Sequence, residues 1–311
     1  MPAKRPRRVT FIDPTNDWAF KRIFGSRESG PVLVGFLNDL LHGGRKVIES
    51  VKILDPYLPS QVKKLKNTAV DVRARLADGG EVLIEMQLFP VAGFLQRLLY
   101  NGAKCLSSQL GRGSDYKLIR PVTIITIADC IVLSDHPSWL SRYALQERRT
   151  HAEWPAPGLD FIFIELPKAD PARLAAGDPL HDWLEFLKNA PEWRKIPPDV
   201  TNEGVRDALR LARHDNLSPS EALIMNKREL YRQDQINIRL HALSEGLEQG
   251  VQKGRQEGTQ AEAIRIAKTS LAQGLSPELV ATITGLSQAK IRSLMPKRTR
   301  PPRGTRKPAL A

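Results

Sequence analysis

Sulfur and imidazole are scarce here, with two cysteines and six histidines in 311 residues. Cys105 and Cys130 supply neither a disulfide framework nor a zinc set, and they suit a reducing compartment. The histidines (His42, His136, His151, His181, His214 and His241) are scattered without metal-ligand spacing and receive no role. No apolar run approaches the roughly 18 residues that a membrane span needs, so no membrane partner is expected. The basic opening, residues 1–8, has no apolar stretch behind it and is not expected to act as a signal peptide.

What remains is an ordinary globular composition, 41% hydrophobic and 26% charged, with room for one sizeable core and an appendage. The net charge of +13 is concentrated at the two ends. Lys4, Arg5, Arg7 and Arg8 stand in an N-terminal arm, residues 1–10, that holds no acid. Lys297, Arg298, Arg300, Arg303, Arg306 and Lys307 stand in a tail, residues 296–311, that holds none either. Such arms suit salt-sensitive phosphate binding without sequence choice, and they equally suit plain solvated tails.

Between the ends, residues 14–42 carry helical periodicity, broken at Gly43–Gly44. Residues 47–54 are strand-like. Residues 69–77 and 81–88 read as the strands of a hairpin around Asp78-Gly79-Gly80, and residues 91–111 as a helix. The β-branched run 122–127 fits a strand buried on both faces, and 161–166 is a further strand. A core over residues 11–167 is expected to give way to a helical region, 168–243.

Glycine then recurs every fourth residue at Gly246, Gly250, Gly254 and Gly258, within a segment 244–260. Each glycine costs about 1 kcal/mol in a helix, which points either to a helix packed closely on a partner, such as a second copy of the chain, or to a frayed connector. Residues 261–295 have helix-turn-helix spacing, with Ser276 and Ser287 as expected N-caps and Pro277 at a first helical position. Gln288, Lys290 and Arg292 should be exposed on the last helix. DNA reading and a small trihelical packing module fit equally well.

The hairpin carries the candidate chemistry. Asp71, Arg73 and Arg75 share one face of the first strand, and Glu85 and Gln87 share one face of the second. A two-residue loop would split these polar sets. A three-residue loop, residues 78–80, sets Asp71 opposite Gln87 and Arg73 opposite Glu85, and it keeps Val72, Ala74, Val82, Ile84 and Met86 together on the other face. Two carboxylates about 5 Å apart could share one Mg²⁺, which would polarise a phosphate and activate water. The same pattern also describes a half-exposed hairpin with cross-strand ion pairs.

The run from Pro14 through Asp17, Trp18, Phe20, Lys21 and Phe24 to Gly25 resembles the opening of the Rpn family of recombination-promoting nucleases and transposases. Asp71-Val72-Arg73-Ala74 with Ile84-Glu85-Met86-Gln87 is similar to that family's nuclease motif, which is of the PD-(D/E)XK type. Arg97 and Tyr100 match its next helix, and the glycine repeat and the Gly285-Leu286-Ser287 ending match its C-terminal part.

The resemblance implies an α/β restriction-endonuclease-like fold, a mixed central sheet flanked by helices, in a cytoplasmic protein that cuts DNA with Mg²⁺. It implies Asp71 and Glu85 as metal ligands. Gln87 stands where the wider superfamily has lysine and, lacking charge, would orient water or phosphate. Lys21, Arg73 or Lys64 would then carry the missing charge, with Arg73 also a DNA contact. Asp17 is either an acidic group offered to the site by the first helix or only the cap of that helix. A DNA-binding or assembly protein whose nuclease has decayed is the competing expectation.

Overall fold

In the computed structural model, residues 10–58 and 67–295 are described. The N-terminal arm up to residue 9, Lys64 and the tail from residue 296 lie outside them. In chain order the elements are helices α1 (Asp17–Gly25) and α2 (Gly30–His42), then strands β1 (Val51–Leu54), β2 (Tyr57–Leu58), β3 (Thr68–Ala69), β4 (Val72–Leu76) and β5 (Glu81–Gln87). Helix α3 (Phe94–Ser108) and strands β6 (Val122–Ala128), β7 (Leu140–Tyr143) and β8 (Leu159–Glu165) follow. The remainder is helical: α4 (His181–Asn189), α5 (Glu203–Leu211), α6 (Pro219–Ala272), α7 (Pro277–Thr284) and α8 (Gln288–Leu294).

Six strands form one mixed sheet in the order β1-β4-β5-β6-β8-β7. β5, β6 and β8 run parallel, and the other neighbours are antiparallel. β2 and β3 pair separately. The expected β-branched strand is β6, which is buried on both faces apart from half-buried Thr123, and it lies at the middle of the sheet.

The sheet is covered on both sides. One face packs on α1, α2, α4 and α5 through Val72, Ala74, Val82, Ile84, Ile125 and Ile127, so the core draws on residues well beyond 167. Phe20, Phe24, Phe36, Trp183 and Phe186 form a chain of aromatic contacts beneath it. α2 and α5 meet at Gly35 and Gly204, where a Cβ built on Gly35 would lie 3.0 Å from the Gly204 Cα. The other face holds a smaller cluster, Leu83, Val122, Ile124 and Phe163 under Phe94 and Leu98 of α3. This is the α/β restriction-endonuclease-like architecture, a mixed central sheet flanked by helices.

The hairpin register differs from expectation. Leu76 and Gly80 close the turn, with Leu76 N donating to Gly80 O at 2.8 Å, and Gly79 adopts φ +90°. The loop has three residues as anticipated, but they are 77–79 rather than 78–80. Arg73 therefore faces Leu83 instead of Glu85, and extending the ladder past Val72–Ile84 brings Asp71, not opposite Gln87, but opposite Glu85. A one-residue slide of the turn moves the pairing by two, and a shift of two preserves the face.

The chain divides into compact units between Tyr231 and Arg232. In the second unit, Ala267, Val280 and Ile291 form the core of a three-helix unit made by the end of α6 with α7 and α8. Ser276 accepts from Leu279 N and Ser287 from Lys290 N, so both serines cap as their positions in the sequence suggest. The glycine-marked stretch is helical, part of α6. Glutamate, glutamine, lysine, arginine and leucine between the glycines all favour helix, which offsets the glycine cost. Among the described residues no helix is long and apolar enough to cross a membrane.

Candidate active site

Each side chain of the candidate site is placed by the element that carries it. α1 begins because the Asn16 side chain accepts from Trp18 N at 3.0 Å, so Asn16 is the cap and Asp17 is the first helical residue. Ala19, Phe20, Ile23 and Phe24 bury one stripe of this helix and leave Lys21 exposed on another. Lys21 Nζ lies 2.6 Å from Asp17 Oδ1 and 3.0 Å from Asp71 Oδ1. Asp71 sits just before β4, and its Oδ2 accepts from Met86 N at 2.9 Å. That bond ties the acid to the end of β5, where Glu85 and Gln87 lie.

Glu85 and Gln87 are buried, at 6% and 8% exposure. α3 supplies their neighbours. Its buried stripe is Phe94, Leu98, Asn101, Gly102 and Cys105, an apolar pattern interrupted by one asparagine. Asn101 Nδ2 donates to Glu85 Oε1 at 3.3 Å. Gln87 Nε2 donates to Phe89 O, and Gln87 Oε1 accepts from Arg97 Nη2 at 3.2 Å. Asn101 and Arg97 were not among the residues expected at the site. The polar residue in an apolar helical stripe was the sequence signal for Asn101.

Electrostatics separate this pair from the other buried acids. Glu81, also on β5, takes Arg73 Nε at 2.8 Å, Arg75 Nη2 at 2.7 Å and the Cys105 thiol at 3.0 Å. Burial works against its charge, but these donors outweigh it and hold its pKa below the usual value. Glu165 takes Lys168 and two backbone N–H groups, and Asp182 takes two backbone N–H groups.

Glu85 has no such compensation. Burial, followed by the charge of Asp71, pushes its carboxyl up to about 8 against the opposing effects of Arg97, Asn101 and Lys21. Asp71 is raised as well, by burial first, although Lys21 and Met86 N–H resist the shift. For Lys21, burial disfavours the ammonium, yet Asp17 and Asp71 prevail and raise its pKa.

The donor set fits a small divalent cation. Asp71 and Glu85 are hard oxygen donors, the kind that a small divalent cation takes. Next to them Asn101 Oδ1 and Thr126 Oγ1 are buried without a hydrogen-bond partner among the described residues, and Thr126 pairs with Glu85 across β5 and β6. Among the described residues no group of three histidine, cysteine, aspartate or glutamate side chains gathers as a metal cluster. One cleft, about 720 Å³, lies between α2, residues 44–51 and the start of α5 and touches none of the candidate residues. A smaller one, about 190 Å³, is lined by Gln87, Phe89 and Phe94.

The structure thus brings together Asp71, Glu85, Gln87, Lys21 and Asp17. It commits Arg73 to Glu81, with its side chain only 15% exposed. Gln288, Lys290 and Arg292 are exposed on α8, in the second unit.

The mixed sheet with acids at the end of a central strand defines the class, an α/β fold of the PD-(D/E)XK nuclease kind. Residues 14–242 match the family model described as PD-(D/E)XK nuclease family transposase, and residues 260–296 match that of the Rpn/YhgA-like nuclease family C-terminal HTH domain. The chain belongs to this PD-(D/E)XK nuclease family. No curated protein and no solved structure matches it.

Proposed function

We propose that the chain is a divalent-metal-dependent DNA endonuclease that hydrolyses phosphodiester bonds in DNA recombination or mobile-element movement, with Mg²⁺ as the cation. The observation that carries this reading is the pairing of two buried carboxyls, Asp71 and Glu85, whose mutual repulsion is only partly relieved by Lys21. Asp71 and Glu85 would hold the metal, which when bound supplies Lewis-acid polarisation of the phosphate and an acidified water. Met86 N–H fixes the orientation of Asp71, and Asn101 fixes that of Glu85. Gln87, held by Phe89 and Arg97, orients phosphate or water through its amide. Lys21 balances Asp71, and Asp17 in turn positions Lys21.

In the second unit, Gln288, Lys290 and Arg292 of α8 are assigned to DNA contact, because Ile291 turns inward and leaves them outward. Self-association is assigned to the glycine-marked stretch of α6, where a Cβ added at Gly246, Gly250, Gly254 or Gly258 would meet nothing within 4 Å and Leu243 and Leu247 are exposed. Sedimentation that shows a monomer at micromolar concentration would remove that assignment.

The test of the nuclease is cleavage of supercoiled plasmid with Mg²⁺ by the wild type, Asp71→Ala and Glu85→Ala. The expected result is metal-dependent cutting reduced at least about a hundredfold in both variants, since several kcal/mol of transition-state stabilisation depends on the metal. Equal cutting by all three would mean a contaminant and would sink the site. No cutting by any, with salt-sensitive DNA binding retained, would establish a DNA-binding protein instead.

A further inference from the structure

We infer that Arg97 engages the scissile phosphate and supplies the positive charge that its hydrolysis requires. This rests on the nuclease reading above. When water adds to phosphorus and the P–O ester bond breaks, negative charge gathers on the non-bridging and leaving oxygens. A cation aimed at that position lowers the barrier only if its charge is not already spent on a carboxylate.

Six cationic side chains stand on α1, β4 and α3 around the acids, and four are spent on carboxylates, Arg22 of α1 on Glu221. Lys21 is shared between Asp17 and Asp71 at 2.6 and 3.0 Å. Arg73 and Arg75 both bind Glu81. Lys104 donates to Leu58 O at 2.5 Å, away from the acids, whereas Arg97 binds a neutral group beside them, with Nη2 3.2 Å from Gln87 Oε1.

Its guanidinium lies 5.1 Å from the centroid of the Phe94 ring, which holds it in place by cation–π attraction while leaving donors free. The residue is exposed, so it faces incoming substrate. Gln87, which it binds, is two residues from Glu85 on the same face of β5, so the guanidinium stands beside the acids. Gln87 and Phe94, the two residues that hold the guanidinium, also line the small cleft of about 190 Å³. A guanidinium carries five donors in a planar fork that matches two phosphate oxygens, and Gln87 occupies only one edge of it.

Gln87 then has a second use. Its Oε1 aims the fork, and a lysine at position 87 would place an ammonium close to the space that Arg97 fills.

The experiment compares full-length wild type, Arg97→Ala and the double variant Arg97→Ala/Gln87→Lys by two readouts. The first is Mg²⁺-dependent plasmid cleavage. The second is the salt dependence of binding to a short duplex in EDTA. Arg97→Ala should lose cleavage by about 10²–10³-fold, the range seen when one transition-state donor is removed. Its log K against log salt slope should flatten by about one, the signature of one lost phosphate contact. Gln87→Lys should restore at least about tenfold of the cleavage, equivalent to about 1.4 kcal/mol, because it returns a cation to the same place.

Cleavage by Arg97→Ala close to the wild type would overturn the proposal. So would a lost activity that Gln87→Lys leaves unrestored together with an unchanged salt slope, which would make Arg97 merely a prop for Gln87. If the wild type itself does not cut, the nuclease reading fails on its own, and the salt slope decides Arg97 alone. A flattened slope would then keep its phosphate contact, and an unchanged one would remove it.

Discussion

Asn101, the polar residue in the buried stripe of α3, reaches Glu85 on β5, its Nδ2 donating to Oε1 at 3.3 Å. One long hydrogen bond does not repay the desolvation of a carboxylate, which is why Glu85 holds its proton up to about pH 8.

The sign of the resulting pH effect follows from linkage. Between the ordinary value of 4.5 and about 8 the folded chain binds a proton at Glu85 that the unfolded chain has released. Metal-free stability should therefore fall as pH rises through that window and level off above it. Glu85→Gln should flatten this slope and melt about 2–4 °C above the wild type at pH 8 in EDTA, as expected for at least 1 kcal/mol. Mg²⁺ should raise the wild-type melting temperature and leave the variant unmoved. Thermal melts at pH 5, 6.5 and 8 check this, and a flat wild-type profile would refute it.

Glu81 behaves in the opposite way. It is buried between Arg73 and Arg75, and its depressed pKa means that its stabilisation is present above the ordinary 4.5 and is lost as pH falls through the folded value. Removing one member of a buried pair costs about 3 kcal/mol, and Arg75 contributes little of that because its side chain is 47% exposed. Glu81→Ala should lower stability to urea by about that amount. Glu81→Gln should lower it less and should remove part of the acid sensitivity below pH 4.5. A neutral effect of Glu81→Ala on the urea midpoint would contradict the pairing.

Helix packing supplies a prediction independent of charge. A Cβ on Gly204 would lie 2.8 Å from Trp183 Cζ2 and 3.2 Å from the Gly35 Cα, atoms of an indole and a backbone that cannot yield. Gly204→Ala should cost about 1–3 kcal/mol. Gly102→Ala brings a Cβ to 2.7 Å from Ile124 Cδ1, a terminal methyl that can rotate aside, so its cost should be the smaller. Urea titrations of the two variants rank them, and the reverse order would be evidence against this packing account.

Strand parity made much of the candidate site legible in the sequence. The alternation of Asp71, Arg73 and Arg75, and of Glu85 and Gln87, fixes which residues share a face within each strand, and the loop decides whether the two faces coincide. The pairing itself was not legible, because the turn depends on Gly79 accepting φ +90° and on Glu81 N donating to Pro121 O beside β6, a contact 40 residues along the chain. Glu81 shares its strand face with Glu85, so its face was readable, whereas its partners Arg73, Arg75 and Cys105 meet only in three dimensions.

β7 and β2 went unseen because both are short edge segments, Leu140–Tyr143 and Tyr57–Leu58, without enough alternating residues to mark a period. Asn16 outranks Asp17 as the cap because of one backbone dihedral, which residue type does not reveal.

The turn at residues 77–79 also bears on how this site tolerates changes in chain length. With the three-residue turn kept, deleting or inserting one residue there would change the strand offset by an odd number and carry Asp71 to the face packed on α1, α2, α4 and α5, opposite Glu85, unless a bulge absorbed it. Adding or removing two would only slide one acid along the same face. The acid pair is thus guarded less by any single side chain than by an even-numbered count of backbone steps between its members.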